Sequence, residues 1–351
     1  MIIGLFIWYM ITNLAYSDRS NQFVDYMRYE LDAGICAVVM YPLARIIGRR
    51  RMKYLLNTVL HLILAFCTVT ICVMMFNFFA QRELTLPNGL TVYGKKNGSV
   101  YFGVNQNLAA MIGVTMTYVC VFLFFGCKRR VGRIVYGIVM LPHILATLMT
   151  GSRACFLALL ITVPMAAALF VWTSVDRLDA KRRVMCAALV CALGAVCFWF
   201  LRSGVAGICR RVVVGASKGG SSFASQKLFK DSGRLPIWGA SLHMMVANAK
   251  QFVFGVPKLD IPQYIEQHQI LLYGTGSSYA HAHNQILQVG CAQGVPAMIV
   301  FITFWFIIGI RGLWVLFKGV KQRSRSELVV IPICLFGMMF VNVFQPVKDA
   351  A

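Results

Sequence analysis

The strongest constraint in this sequence is a succession of apolar runs, most of about 18 residues or more, the length a helix needs to cross a hydrocarbon layer ~30 Å thick. Inside that layer the backbone finds no water, so each run must satisfy its own N–H and C=O groups by coiling into a helix. Between polar breaks the runs fall at roughly 1–16, 31–48, 54–80, 104–126, 134–150, 154–173, 184–201, 285–310 and 327–346. The chain reads as an all-α polytopic membrane protein with about nine transmembrane helices. Hydrophobic residues at 59% against 13% charged set aside a soluble two-domain enzyme.

A net charge of +22, from 34 basic and 12 acidic side chains, raises the question of a nucleic-acid partner. The positions of the cations answer it. They cluster after alternate runs: Arg49, Arg50, Arg51 and Lys53; Lys128, Arg129, Arg130 and Arg133; Arg177, Lys181, Arg182 and Arg183; Arg311, Lys318, Lys321, Arg323 and Arg325. All four clusters fall on one side, which the positive-inside rule makes the cytoplasm, so the charge describes topology and no nucleic acid is expected. The N-terminus is then inside, the C-terminus outside, and 17–30, 81–103 and 202–284 are outside. Residues 1–16 lack a basic leader and a small-residue cleavage site, and read as a retained span. Four parts follow: N-terminal transmembrane helices over 1–100, central ones over 101–201, an extracytoplasmic loop over 202–284, and C-terminal helices over 285–351. The 12 cysteines are scattered, mostly within apolar runs, and point to neither a disulfide frame nor a metal site.

The loop 202–284 is far longer than a helix connection requires, and it opposes the charge rule. It holds nine cations, among them Arg202, Arg210, Arg211 and Arg234, against three acids, Asp231, Asp260 and Glu266. Long loops escape the rule during insertion, so a solvated basic surface and an outward-facing anion site both fit. Leu235, Trp238, Leu242, Met245, Val246, Phe252 and Val253 recur at helical spacing, which predicts one interfacial helix. Arg234 sits just before its first turn, placed to direct a planar fork at phosphates or simply to snorkel to headgroups. Ser217–Ser222 reads as flexible loop.

Two of the six histidines fall in Tyr279-Ala280-His281-Ala282-His283-Asn284-Gln285, at the junction with the eighth run. If the helix already includes His281, then Asn284, Gln285 and Gln288 share its face, a polar stripe that is costly in a membrane unless used. That spacing favours His281 over His283, whose own neighbours are Ile286 and Leu287; the preference disappears if the helix begins at Asn284. A histidine at the positive end of a helix is favoured in its neutral form, the state required of a general base. Interfacial histidines bonded to water or headgroups are the plainer alternative. A third polar point is Thr150-Gly151-Ser152-Arg153, where Ser152 is a natural N-cap and Arg153 opens a span; a tight helical hairpin explains it equally.

Gly151-Ser152-Arg153, Gly233-Arg234-Leu235-Pro236-Ile237-Trp238, Phe254-Gly255-Val256, and His281-Ala282-His283-Asn284 followed by Gly294-Val295-Pro296 together resemble, in order and spacing, the O-antigen ligase and polymerase superfamily. The resemblance covers roughly residues 100–345. It implies a GT-C-like membrane glycosyltransferase of the inner (cytoplasmic) membrane whose active site faces outward, using a polyprenyl-diphosphate-linked glycan as donor and inverting the sugar. His283, directly before Asn as in the family pattern, would deprotonate an acceptor sugar hydroxyl, on a glycan or a lipid-linked acceptor. Arg153 and Arg234 would hold the diphosphate. His281, Asn284, Arg210 and Arg211 are the remaining candidate substrate-binding residues. Two arginines can neutralise a leaving diphosphate without a metal, and Asp231, Asp260 and Glu266 are too widely spaced to hold Mg²⁺, so neither metal nor cofactor is expected.

A transporter is the alternative from another class, but the polar motifs collect at one membrane boundary and no matching halves are found, although Pro42, Pro142 and Pro164 interrupt spans. A noncatalytic partner in polysaccharide assembly would leave His283 and both arginines replaceable. Within the enzyme reading a repeat-unit polymerase is preferred to a ligase, since nothing in the chain specifies a dedicated acceptor.

Overall fold

The computed structural model describes residues 47–80, 83–85, 91–93, 106–174, 179–214, 234–257, 260–274, 276, 282–322 and 327–344. The expected span 1–16, nearly all of 31–48 and the stretch Ser217–Ser222 lie outside them. The described chain is helical: α1 Arg49–Ala80, α2 Gln106–Gly126, α3 Arg130–Met149, α4 Arg153–Ser174, α5 Ala180–Val214, α6 Arg234–Met245, α7 Ala249–Phe254, α8 Ile261–Tyr273, α9 Gln285–Lys321 and α10 Ile331–Phe344. One small antiparallel ladder joins β1 Glu83–Thr85 to β2 Thr91–Tyr93, pairing Glu83 with Tyr93. Among the described residues six helices, α1 to α5 and α9, are long and apolar enough to cross a membrane. The expected last span is shorter than the sequence suggested: a 3₁₀ turn, Glu327–Val329, precedes the 14-residue α10.

The chain divides into two compact units. One takes in Leu60–Lys230 and Gly309–Val341; the other takes in Asp231–Ile308 with Met1–Val59 and Asn342–Lys348. In the first, α2 packs on α3 and α4 on α5, each pair joined by a short connection and hence antiparallel. The core beneath them is built from Met74, Phe78, Val114, Phe156 and Leu159. Gly113 permits the close approach of α2 to α3, since a Cβ there would strike Thr147 and the His143 carbonyl. Two polar contacts tie α1 to α3: His61 Nε2 lies 2.7 Å from the Tyr136 hydroxyl, and Thr68 Oγ1 lies 2.9 Å from Nε2 of the buried His143. Both members step seven residues, two turns, in the same sense, so α1 and α3 run parallel. This is the direction the alternating basic clusters require.

Helix α5 has 35 residues and departs from the sequence reading, which ended its span near 201 and placed Arg202, Arg210 and Arg211 in a loop. Ser203 and Gly204 invite a break there, but Val205 is buried in the same core as Phe156, and packing outweighs the weak propensity of those two residues. At ~1.5 Å per residue, a helix of this length exceeds the hydrocarbon thickness by several turns.

In the other unit α6 packs on α8, and Ile237, Ala240, Met244, Met245, Val256, Ile261, Ile265, Ala282, Leu287 and Cys291 form one core. The single interfacial helix expected over Leu235–Val253 is instead two. The chain turns at Val246 and Ala247, and Asn248 caps α7 by accepting a hydrogen bond from the Gln251 amide at 2.8 Å. The stripe expected to lie at the membrane surface is divided, with its Met245 buried in the core. Ile237, Ala240, Ser241 and Met244 are inside, while Leu235, Leu242 and Val246 are 65%, 51% and 63% exposed, an apolar outer face suited to lipid.

Candidate active site

The turn before α9 decides how the two histidines are to be read. The helix begins at Gln285, and Asn284 is its cap: Oδ1 accepts from the amides of Ile286 at 2.9 Å and Leu287 at 3.3 Å, while the Asn284 carbonyl accepts from the Gln288 amide at 2.8 Å. The polar helical stripe that would have favoured His281 therefore does not exist, and His281 itself lies outside the described residues. Gln288 reaches back from the first turn, its Oε1 accepting from the Ala282 amide at 2.9 Å. Ala282 is fully buried in the core of this unit.

His283 is held between these two anchors with φ 53°, the only non-glycine residue with positive φ among the described residues. A left-handed backbone is costly for most side chains and is kept where the surroundings over-determine it. Here the two flanking hydrogen-bonded residues do so, and the partly buried His283 stands two residues before the first residue of α9. The sequence places Gln288 on a polar stripe; the fold gives it this positioning task instead.

The start of α9 is anchored a second time at its break. Gly294 has φ 83° and ψ 169°, interrupting the helix, and a Cβ there would strike the Val253 carbonyl. In return Gly255, at φ 72°, lies so close to the Cys291–Gln293 backbone that a Cβ there would overlap it, and the Val256 amide donates to the Cys291 carbonyl at 2.7 Å. Only glycine fits either place. The Phe254-Gly255-Val256 and Gly294-Val295-Pro296 motifs are the two sides of one joint.

Arg234 opens α6 and does not precede it, with Pro236 in the first turn where its missing N–H is not needed. Its helix packs through Ile237, Ala240 and Met244 into the core that also holds Ala282 and Leu287, so Arg234 and His283 belong to one unit. Also in that unit, His243 and His268 bring their Nδ1 atoms to 2.8 Å, one donating and the other accepting. Burial, and then the charge of His243, hold the His268 pKa below its usual value. No local sequence pattern pairs them, because the mixed composition of α8 hides the helix that carries His268.

Arg153 belongs to the other unit. As expected, Ser152 caps α4: its carbonyl accepts from the Phe156 amide at 3.0 Å and its Oγ from the Cys155 amide at 3.4 Å. Beside it is a residue that sequence reasoning had counted only among loop cations. The half-buried Arg202 sits over the Phe156 ring, 4.5 Å from its centroid, and Trp199 flanks the same ring at 6.5 Å. Arg210 and Arg211 follow on the last turns of α5, their side chains outside the description. Among the described residues no group of three or more His, Cys, Asp or Glu is placed to hold a metal ion.

No curated protein matches this chain. Residues 138–302, which contain Arg153, Arg234, His283 and both glycines of the joint, match the family described as O-antigen ligase. Over that segment the chain is similar to the O-antigen ligase family.

Proposed function

We propose that the protein transfers a glycan from a polyprenyl-diphosphate carrier to an acceptor sugar hydroxyl, without a metal and with inversion, on the outer face of the cytoplasmic membrane. The observation that carries this is the strained His283, fixed by the Asn284 cap and the Gln288 anchor at a helix start within the family-matched segment. In this reaction the acceptor oxygen attacks the anomeric carbon from the face opposite the diphosphate. His283 takes the hydroxyl proton as the new C–O bond forms and the bond to the diphosphate oxygen breaks. Arg153 and Arg234 hold that diphosphate and neutralise the charge it gains on leaving. Arg210, Arg211 and His281 are further candidates for contact with donor or acceptor. Asn284 keeps its side-chain N–H₂ for such a contact, its Oδ1 being committed to the cap.

We favour repeat-unit polymerisation over ligation, because no residue of the chain singles out an acceptor other than the donor's own kind. The test is transfer by the purified protein in lipid nanodiscs supplied with a polyprenyl-diphosphate-linked repeat unit, with and without chelator, beside His283→Ala. A lipid-linked ladder that persists in chelator and disappears in the variant supports a polymerase using His283. Product only when a second acceptor is added makes the protein a ligase. No turnover with any acceptor, and an unaffected variant in cells, would return the protein to a transporter or a noncatalytic partner.

A further inference from the structure

A cavity of about 230 Å³ lies among α2, α3, α4 and α5, and the proposed transfer makes no use of it. Its walls are almost wholly apolar, with Phe124, Met140, Val163 and Phe170 among them. The lining residue Tyr136 has its hydroxyl 2.7 Å from Nε2 of His61 on α1. An apolar cavity of ~150 Å³ already takes benzene and stays dry, so this one has room for a longer stretch of hydrocarbon. The floor is buried at Cys120, Val121, Phe125 and Ala166, while Ala167 is exposed and Gly137 and Val190 are half-exposed. The cavity therefore opens sideways, where Ile138 and Leu189 are exposed as well.

The lining positions of all four helices gather toward one end of the bundle. Helices α2 and α4 arrive at that end and α3 and α5 leave from it, so 120–125, 136–140, 163–171 and 190 all fall toward it. It carries the basic clusters, and the positive-inside rule assigns it to the cytoplasm. Arg153 opens α4 at the opposite end, ~25 Å along the helix axis from Phe170.

Arg133 joins the basic end to the cavity. It stands four residues before Gly137 on α3, on the same helix face. Its Nε donates to the Cys127 carbonyl at 2.8 Å, and its guanidinium carbon lies 6.0 Å from the ring centroid of Phe124 and 5.7 Å from that of Phe170, both walls of the cavity. An arginine that marked topology alone would snorkel to water; this one lies against the two rings, a contact that uses none of its N–H donors. Lys128, Arg129 and Arg130, all exposed, add positive charge at the same turn. A hydrocarbon chain beneath an anionic headgroup is complementary to both parts at once, and basic pockets between membrane helices on the cytoplasmic side recognise such headgroups.

We infer that this cavity and Arg133 form a binding site for an anionic glycerophospholipid of the cytoplasmic leaflet, one acyl chain entering the cavity and the phosphate meeting Arg133. The site is separate from the proposed transfer centre and does not depend on what is transferred.

The test titrates phosphatidylglycerol, and separately phosphatidylcholine, into the detergent-purified full-length protein and follows the melting temperature, which a ligand of the folded state raises. The native protein is expected to show a saturable rise with phosphatidylglycerol at about tenfold lower concentration than with phosphatidylcholine, the scale of one charge-assisted contact. Arg133→Gln should remove that difference. Gly137→Leu should abolish the saturable rise with either lipid: a Cβ at Gly137 meets no atom within 4 Å, so the side chain has room to fill the cavity, and leucine favours the helix over glycine. Ala167→Leu fills the mouth from α4 and reads the same site if the first filled variant does not fold. Arg182→Ala removes an exposed cation of the same end and should respond as the native chain does. Equal response of the native protein to both lipids overturns the inference, as does an Arg133→Gln protein that still discriminates, or filled variants that respond like the native chain. Loss of discrimination in Arg182→Ala equal to that in Arg133→Gln would reduce the effect to diffuse surface charge and overturn it. Displacement of phosphatidylglycerol by an equal concentration of undecaprenyl monophosphate would make the cavity a seat for a polyprenyl tail and overturn it as well.

Discussion

The turn before α9 and the Arg153 end of the α4–α5 pair are both polar points on an apolar scaffold, but they are held by opposite means. In the turn, neighbouring polar groups are met by the chain itself: Asn284 and Gln288 each close a hydrogen bond to nearby amides, and the result is a histidine in a conformation few residues adopt. At the arginine end the chain supplies Arg202 with an aromatic platform, and Arg153 adds a second positive charge. The first arrangement fixes direction and the second stores charge. A base must be aimed, while a phosphate is held by field and fork.

That contrast can be broken experimentally. The largest effect is expected at His283. His283→Ala should lower turnover by about 10²–10⁴-fold and leave the affinity for undecaprenyl diphosphate unchanged in the same nanodiscs. A loss of affinity instead of turnover would mean that the turn, too, is a charge site. Next is Gly294→Ala, which forces a Cβ against the Val253 carbonyl at φ 83° and should cost about 2 kcal/mol or more, read as a lower melting temperature of the detergent-purified protein.

Asn284→Ala should be milder, about 1 kcal/mol from the lost cap, with turnover falling more than affinity because the histidine is released and no charge is removed. Acidification provides a graded probe of the same unit. The His268 pKa is lower in the fold than in the unfolded chain, so its stabilising contribution is complete above the ordinary histidine value near ~6.5 and is lost as the pH falls through that region. Melting temperatures measured across that range should drop at the acid side, and His268→Gln should flatten the profile; an unchanged profile would exclude the pair as its source. The smallest effect belongs to Arg182→Ala. Its contact with Asp179 spans 3.7 Å between side chains 73% and 65% exposed, so stability should stay within about 0.5 kcal/mol and transfer should be unaffected. A large loss there would show that counterbalanced charge at that end also matters, and would blur the contrast.

Much of this was legible before the fold. Helix-length apolar runs announced α1 to α5 and α9, and Ser152 before Arg153 announced the start of α4. The Asn after His283 carried a double signal, a family pattern and a helix cap, and the cap removed the case for a His281 stripe. What the sequence hid were matters of packing between distant segments. The continuation of α5 past Arg202 depends on Val205 finding a core, which no local rule anticipates at a Ser-Gly step. The start and stop of α8 were present, as Pro262 in its first turn and Gly274 at φ 71° after its end, but its mixed composition disguised them. The pairing of Arg202 with Phe156 joins residues 46 positions apart, and only the antiparallel run of two helices brings them together.

The joint of Gly255 and Gly294 bears on how this protein can be re-engineered. Its two halves fit because neither carries a side chain, and each leans on the other's main chain. A chimera that exchanges the segment around α6 to α8 with that of a relative must carry both halves from one parent, with the histidine turn between them. Cut anywhere inside that block, the transplant would bring foreign backbone to a surface with no side chain to trim, and acceptor preference should travel with the block as a whole.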